Sequence, residues 1–153
     1  MDIKSKADPP ANLVSNFNPY EFWFCGVKCA CAEGPLQAFK EPNPAIQIEL
    51  CKLTGKEAKL QGQTRNESWK ATQTLWWQGE AYPRDSYEYQ ELLDLLFEAL
   101  ARNESFRENL LATGYEILTH SIGSSDPSQT ILTEAELCLR LMSLRERIRH
   151  GLI

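Results

Sequence analysis

Apolar residues recur at helical spacing through the second half of the chain. Tyr89, Leu92, Leu93, Leu96, Phe97 and Leu100 fall on one face of a helix, and Asp85 or Ser86 stands where its N-cap belongs. Phe106, Leu110 and Leu111 repeat the pattern over a shorter run, with Asn103 as cap and Gly114 as stop. Thr133-Glu134-Ala135-Glu136 reads as a capping box, and Leu137, Leu141, Leu144 and Ile148 follow on one face. Arg140, Arg145, Arg147 and Arg149 then belong to its solvated side. The first half is more varied. Alternating aromatics in Tyr20-Glu21-Phe22-Trp23-Phe24, followed by Cys25-Gly26, predict a hairpin whose second strand returns to about Cys29. A helix over Ala32 to Lys40 comes next. Pro44 suits the first turn of another, with Ile46, Leu50 and Leu53 inward and Gly55 at its end. A short helix through Ala58-Lys59-Leu60 stops near Gly62, and Thr64 or Asn66 caps one that carries Trp69, Thr72 or Gln73, and Trp76. Gly79 and Pro83 bracket a loop containing Tyr82 and Arg84, and 119–130 form the main Gly/Ser-rich loop. No repeat or linker interrupts the pattern. It predicts a single, mostly helical α+β domain over 1–153 with a small N-terminal β-hairpin and a flexible leader at 1–10.

Composition narrows the function classes. A chain of 153 residues, 42% hydrophobic and 24% charged, is long enough to bury a core without disulfides or metals. It has no apolar run of membrane-spanning length, and Met1-Asp2-Ile3-Lys4-Ser5-Lys6 is not a signal-peptide core, so a cytoplasmic protein with no membrane partner is expected. The net charge of −5 argues against binding nucleic acid through a broad basic surface, though not against a small basic pocket for one phosphate group. Among five cysteines, Cys25-x3-Cys29-x-Cys31 raises a zinc question. The C-x2-C pair is missing and only His120 and His150 could add imidazoles, so no metal and no cofactor is expected.

The chemistry centres on Glu33, Gln37 and Lys40. At i, i+4 and i+7 they share one helix face, which by periodicity alone is an ordinary wet face opposite Leu36 and Phe39. Their surroundings change that reading. Ser15-Asn16-Phe17, a hairpin with Gly26, then Glu33, Gln37 and Lys40, and later Ala58-Lys59-Leu60-Gln61-Gly62, together resemble the NADAR (YbiA-like) family, linked to NAD and ADP-ribose chemistry. Leu110-Leu111-Ala112-Thr113, Leu118-Thr119-His120 and Leu141 to Glu146 resemble its C-terminal half, so the similarity runs in order along nearly the whole chain.

The resemblance implies an N-glycosidase-like hydrolase acting on a ribose–base bond, in an ADP-ribosylated base or a phosphoribosyl pyrimidine intermediate of the riboflavin pathway. It thus implies a nucleotide or ADP-ribose-like partner, with ADP-ribosylated nucleic acid among the candidates. Glu33 and Lys40 become the catalytic candidates. At a helix start Glu33 is expected to have a lowered pKa, suiting charge stabilisation or deprotonation of water better than acid catalysis. Otherwise it only complements the helix N-terminus. Lys40 can hold a phosphate, attack a ribose aldehyde as a free amine, or be a plain surface lysine. Gln37 can bind ribose hydroxyls or orient water, and Asn16 with Phe17 lies beside it on the hairpin side.

Trp77 is a candidate base platform because adjacent Trp76 and Trp77 cannot both face inward from a helix, while Lys59 and Arg84 are candidate phosphate partners. Typical members carry a Trp-Gly-Asp-Gly loop and a Gly-x-Asn element before the last helix. Here Ser121-Ile122-Gly123-Ser124-Ser125-Asp126 stands instead, and His120, Ser121 and Asp126 are candidate replacements. A non-catalytic ADP-ribose or NAD sensor and a structural interaction protein are the other readings. Oligomeric state is left open.

Overall fold

Cys25 and Gly26 both take positive φ, 48° and 78°, and turn β1 (Phe22–Phe24) back onto β2 (Val27–Cys29). The pairing of Phe22 with Cys29 and Phe24 with Val27 puts these four side chains on the buried face, leaving Trp23 and Lys28 outside. The computed structural model describes residues 1–153. After the hairpin come α1 (Glu33–Ala38), α2 (Pro44–Cys51), α3 (Gly55–Gln63) and α4 (Asn66–Thr72), then β3 (Thr74–Trp77) and β4 (Glu80–Pro83) as a second antiparallel hairpin. Three longer helices follow, α5 (Tyr87–Leu100), α6 (Glu104–Ala112) and α7 (Glu134–Arg149). No helix is long and apolar enough to cross a membrane.

One aromatic cluster joins these pieces. Phe24 of β1 stacks on Trp77 of β3 at 5.0 Å, and Phe39, just past α1, meets Trp77 edge-on at 5.6 Å and Tyr89 of α5 at 6.3 Å. Such offset and edge contacts add to the burial of large rings. The caps of the longer helices stand where the sequence puts them. Ser86 accepts from Tyr89 N, Asn103 from Phe106 N, and Thr133 with Glu136 forms a full capping box.

The structure departs from the sequence reading at five places. The helix through Trp69 ends at Gln73, in the left-handed region at φ 50°, and Trp76 lies on β3; the seven-residue spacing of Trp69 and Trp76 mimics a helix seam. Within the Gly79–Pro83 stretch, Gly79 stays in the turn and Glu80–Pro83 is strand β4, not loop. Helix α2 stops at Cys51, Ile46 is exposed, and Gln47 is buried, its Nε2 facing the carbonyls of Ala38, Glu41 and Trp76 at 2.8 to 2.9 Å. Gly55 opens α3 instead of ending α2. Arg145 is buried, donating to Thr113 Oγ1 and the Glu116 carbonyl, while α7 turns its other arginines outward or to the surface of neighbouring helices.

The leader expected to be flexible is held as well. Ile3 is buried, Ile3 N donates to Thr119 O, and Thr119 N donates to Met1 O. Among the cysteines, Cys29, Cys31, Cys51 and Cys138 are buried and Cys25 is exposed, and no cluster of three or more His, Cys, Asp or Glu side chains could hold a metal ion.

Candidate functional site

The backbone of Glu33 donates to Asn16 O at 3.1 Å, so the Ser15-Asn16-Phe17 turn is tied to the first residue of α1. α1 packs on α3, and the start of α4 follows α3 directly. Between these elements, the N-terminal segment and the 120–132 loop lies a cleft of about 420 Å³. Asn16, Phe17, Glu33, Gln37, Lys40, Lys59 and His120 all line it. Residues more than 100 positions apart are thus brought together by the return of the loop onto the N-terminal segment.

The Glu33-Gln37-Lys40 row is an inner wall, not a wet face. Gln37 and Lys40 are buried and Glu33 is half-buried. Gln37 Nε2 donates to Glu33 Oε1 at 2.7 Å, while Gln37 Oε1 is buried with no partner. That oxygen lies against Gly62, where a Cβ would come within 1.7 Å of it, so only glycine lets α3 approach the row so closely. Lys40 sits two residues past the end of α1; its ammonium donates to Asn66 Oδ1 at 2.6 Å and, weakly, to Gly62 O at 3.5 Å. It has no carboxylate in ion-pair range.

Burial decides the protonation of both charged groups. Loss of water raises the Glu33 pKa above its ordinary 4.5; the Gln37 amide and the charges of Lys59 and Lys40 oppose the shift without cancelling it. The lowered value expected from the helix N-terminus is therefore reversed, because α1 has only six residues and the carboxylate is shielded from solvent. Burial also lowers Lys40 from 10.5 to about 8, against the pull of Glu33. Lys59 sits over the Phe17 ring, 5.6 Å from its centroid. With one carboxylate and two ammoniums not ion-paired, the inner cleft favours an anion although the whole chain is acidic.

Four candidates lie elsewhere. Trp77 is core, 3% exposed and stacked on Phe24; because it is on a strand, it points inward while Trp76 is only partly buried. Arg84 is buried, with Nη2 and Nη1 donating to Glu136 at 2.6 and 3.1 Å, Nε to Thr130 O at 2.9 Å, and its guanidinium over Tyr89. Its side chain is 2% exposed and bound to Glu136, and it does not line the cleft, so it is not placed to meet a phosphate there. Ser121 donates through both N and Oγ to Asp2, at 2.7 and 2.5 Å, outside the cleft. Asp126 is exposed, and its Oδ1 accepts from Ser128 N and Oγ.

Asn66 and Trp69 were missed as site residues. Asn66 Oδ1 receives both Lys40 and the Trp69 indole N–H, at 2.6 and 3.2 Å, and both residues line the cleft. Their i, i+3 spacing was the available signal, but Asn66 before an apolar residue reads first as a cap.

The Bacteriophage protein GP30.3 family matches residues 9–146. The uncharacterized 17.1 kDa protein in the Gp30-rIII intergenic region of Enterobacteria phage T4 is 33% identical over 150 residues, covering 97% of this chain and 98% of the phage protein. The NMR structure of the E. coli protein YbiA superposes with a TM-score of 0.64 at 16% identity, covering 99% of this chain and 85% of YbiA. The NADAR-type fold expected from the sequence is thus the fold observed.

Proposed function

The chain belongs to the Bacteriophage protein GP30.3 family and has the fold of YbiA, and on that footing we propose that its cleft binds an anionic ribosyl ligand and hydrolyses the ribose–base N-glycosidic bond. The observation that carries this reading is that Glu33 and Lys40 line one cleft wall without an ion pair between them, each pushed by burial toward its neutral form. Perturbed acid and amine groups in one cleft are the mark of a reaction site more than of a solvated helix face.

In the reaction, the C1′–N bond breaks through a cationic, oxocarbenium-like state, and the bonding pair leaves with the base nitrogen. A water oxygen forms the new bond to C1′. Glu33, ionised, takes the proton of that water and stabilises the positive charge on the sugar. A pKa raised toward neutrality makes it a better proton acceptor than an ordinary surface carboxylate, and Gln37 holds its orientation through Oε1. Lys40 holds the ligand's anionic group as an ammonium. As a free amine it can instead add to C1′ of the ring-opened sugar and expel the base with the C1′–N electron pair and the amine's proton, leaving a Lys40 imine that water hydrolyses to the free sugar and the amine.

The substrate classes are those the NADAR resemblance implies, ADP-ribosylated bases and phosphoribosyl pyrimidine intermediates. Incubation with an oligonucleotide carrying ADP-ribosylated guanine, and with a ribosylaminopyrimidine phosphate, should release free base detectable by mass spectrometry. Release that persists undiminished in Glu33→Gln removes Glu33 from the mechanism, and borohydride trapping separates the two roles of Lys40.

One observation favours a second reading, a binding-only sensor: the Trp-Gly-Asp-Gly element of typical NADAR members is absent, and Ser121 and Asp126 in its place bond to Asp2 and Ser128. Thermal stabilisation by ADP-ribose with no base release would support it.

A further inference from the structure

In the same cleft as Glu33, His120 is held in a defined way. Its Nδ1 lies 2.6 Å from the carbonyl oxygen of Ile3, and its backbone N–H donates to Glu134 Oε1 at 2.9 Å. A carbonyl oxygen only accepts, so Nδ1 carries the hydrogen. Nε2 is then the nitrogen that exchanges protons, and it makes no hydrogen bond within the protein. The backbone around the ring is fixed from both sides. Asp2 accepts from Ser121 N and Oγ and lies within 3.2 Å of Thr119 Oγ1, and the Met1–Ile3 segment pairs with Thr119. Gly123 closes against the other edge of the imidazole; a Cβ there would come within 2.6 Å of His120 Cδ2 and 3.4 Å of Nε2, so only a residue without a side chain leaves Nε2 uncovered. A ring so confined, in a residue that lines the cleft, with one nitrogen bonded and the other making no hydrogen bond, is pre-organised for proton transfer.

We propose that His120 is the catalytic acid of this cleft, protonating the departing base through Nε2 while Glu33 acts on the water. This rests on the glycosidic reading above and completes its proton balance. The base nitrogen that receives the C1′–N electron pair takes the proton from imidazolium Nε2, leaving the Nδ1–H tautomer. The proton that Glu33 gains from water and the one His120 lost are reset through solvent. The Ile3 carbonyl accepts from Nδ1 in both states, so the ring does not turn during the cycle. The N-terminal segment is thereby a positioning element, acting on the reaction only through His120.

The test compares leaving groups. His120→Asn keeps a donor in place of Nδ1, since its Nδ2 can reach the Ile3 carbonyl, but has nothing in place of Nε2. Its release of guanine from ADP-ribosylated DNA should fall about 100-fold or more. Its hydrolysis of 4-nitrophenyl riboside, whose leaving group departs without a proton, should fall far less. Equal losses on both substrates would make His120 a binding or folding residue and overturn the proposal. Independently, nitrogen NMR of the imidazole should show the Nδ1–H tautomer in the neutral ring; an Nε2–H tautomer would overturn it whatever the kinetics. A wild-type protein that cleaves neither substrate takes down the glycosidic reading and the acid role together, and is told apart from failure of His120 alone by the wild-type control.

Discussion

The ammonium of Lys40 and the side-chain oxygen of Asn66 lie 2.6 Å apart, joining the end of α1 to the start of α4 beneath the cleft. The bond satisfies one of three N–H groups, and no carboxylate pairs with the charge. A buried cation without a counter-ion costs stability, and chains keep one where function needs it.

Lys40→Met is therefore expected to stabilise the fold while abolishing base release. Asn66 Oδ1 keeps the Trp69 indole N–H, so the substitution strands no acceptor. Lys40 titrates at about 8 in the fold against 10.5 for a free lysine, so between those values the unfolded chain binds the extra proton and rising pH favours folding of the wild type. The advantage of the variant, at most about 3 kcal/mol from the size of the shift, should be full below pH 8 and gone above pH 10.5. Urea unfolding of both proteins across this range measures it. A variant less stable than wild type at pH 7 would mean that the lysine is well compensated.

Glu33 makes the opposite kind of prediction, on rate. Its pKa is raised above 4.5 by burial, and the ionised form is the proton acceptor. The acid limb of kcat/KM for base release should therefore lie above pH 4.5, with activity lost as pH falls through it. Glu33→Gln preserves an acceptor for Gln37 Nε2 and should cost about 10²- to 10⁴-fold in turnover with ADP-ribose affinity retained. Calorimetric titration beside kinetics separates the two effects.

Gly62→Ala should damage the site through Gln37. The new methyl would sit 1.7 Å from Gln37 Oε1, so the amide must leave its place and with it the bond to Glu33. Overpacking of this kind costs about 1 to 3 kcal/mol. Because the clash is with one side chain, the double variant Gly62→Ala, Gln37→Ala should recover part of that loss. Additive losses would place the strain in the backbone of α3.

What the sequence made legible was what local chemistry decides. The Cys25-Gly26 turn, the Ser86, Asn103 and Thr133 caps and the apolar faces of α5 to α7 stand as expected, since each rests on neighbours within a few residues. Strand β3 was illegible because Trp69, Thr72 or Gln73, and Trp76 satisfy a helical period. The left-handed Gln73 that breaks it has no marker of the kind Gly or Asn supplies. Within the site, spacing alone made Glu33, Gln37 and Lys40 a wet face, and only the family resemblance singled them out; they line the cleft because α3 and the 120–132 loop, distant in sequence, close over them. Arg84 could not be told from a ligand-binding arginine, because its partner Glu136 lies 52 residues away and had a full local explanation as a cap.

Arg84 is accordingly predicted to be structural. Arg84→Met leaves Glu136 largely buried without its guanidinium and should destabilise the protein by about 3 to 5 kcal/mol, with ADP-ribose affinity unchanged in the folded fraction. Glu136 has its pKa held down mainly by Arg84 against burial, so the wild-type pair contributes stability above pH 4.5 that is lost as pH falls through the lower folded value. A denaturant series at several pH values should show that dependence flattened in the variant. Weakened ligand binding in well-folded Arg84→Met would return this arginine to the site.

The last prediction separates the two tryptophans that the sequence reading exchanged. Trp77 packs between Phe24 and Phe39, and its Nε1 is buried with no partner. Trp77→Phe removes an unsatisfied donor along with some volume, so its cost should stay well below the roughly 3 to 5 kcal/mol of Trp77→Ala, and neither should alter ligand affinity in the folded protein. Trp69 lines the cleft and spends its N–H on the oxygen that holds Lys40. In Trp69→Phe that oxygen is left to Lys40 alone, which strengthens the ammonium's hold on its proton and opens space beside the ligand. Titration with ADP-ribose should then show altered affinity for Trp69→Phe and none for Trp77→Phe. The reverse outcome would put the base-binding face of the protein on β3 instead of α4.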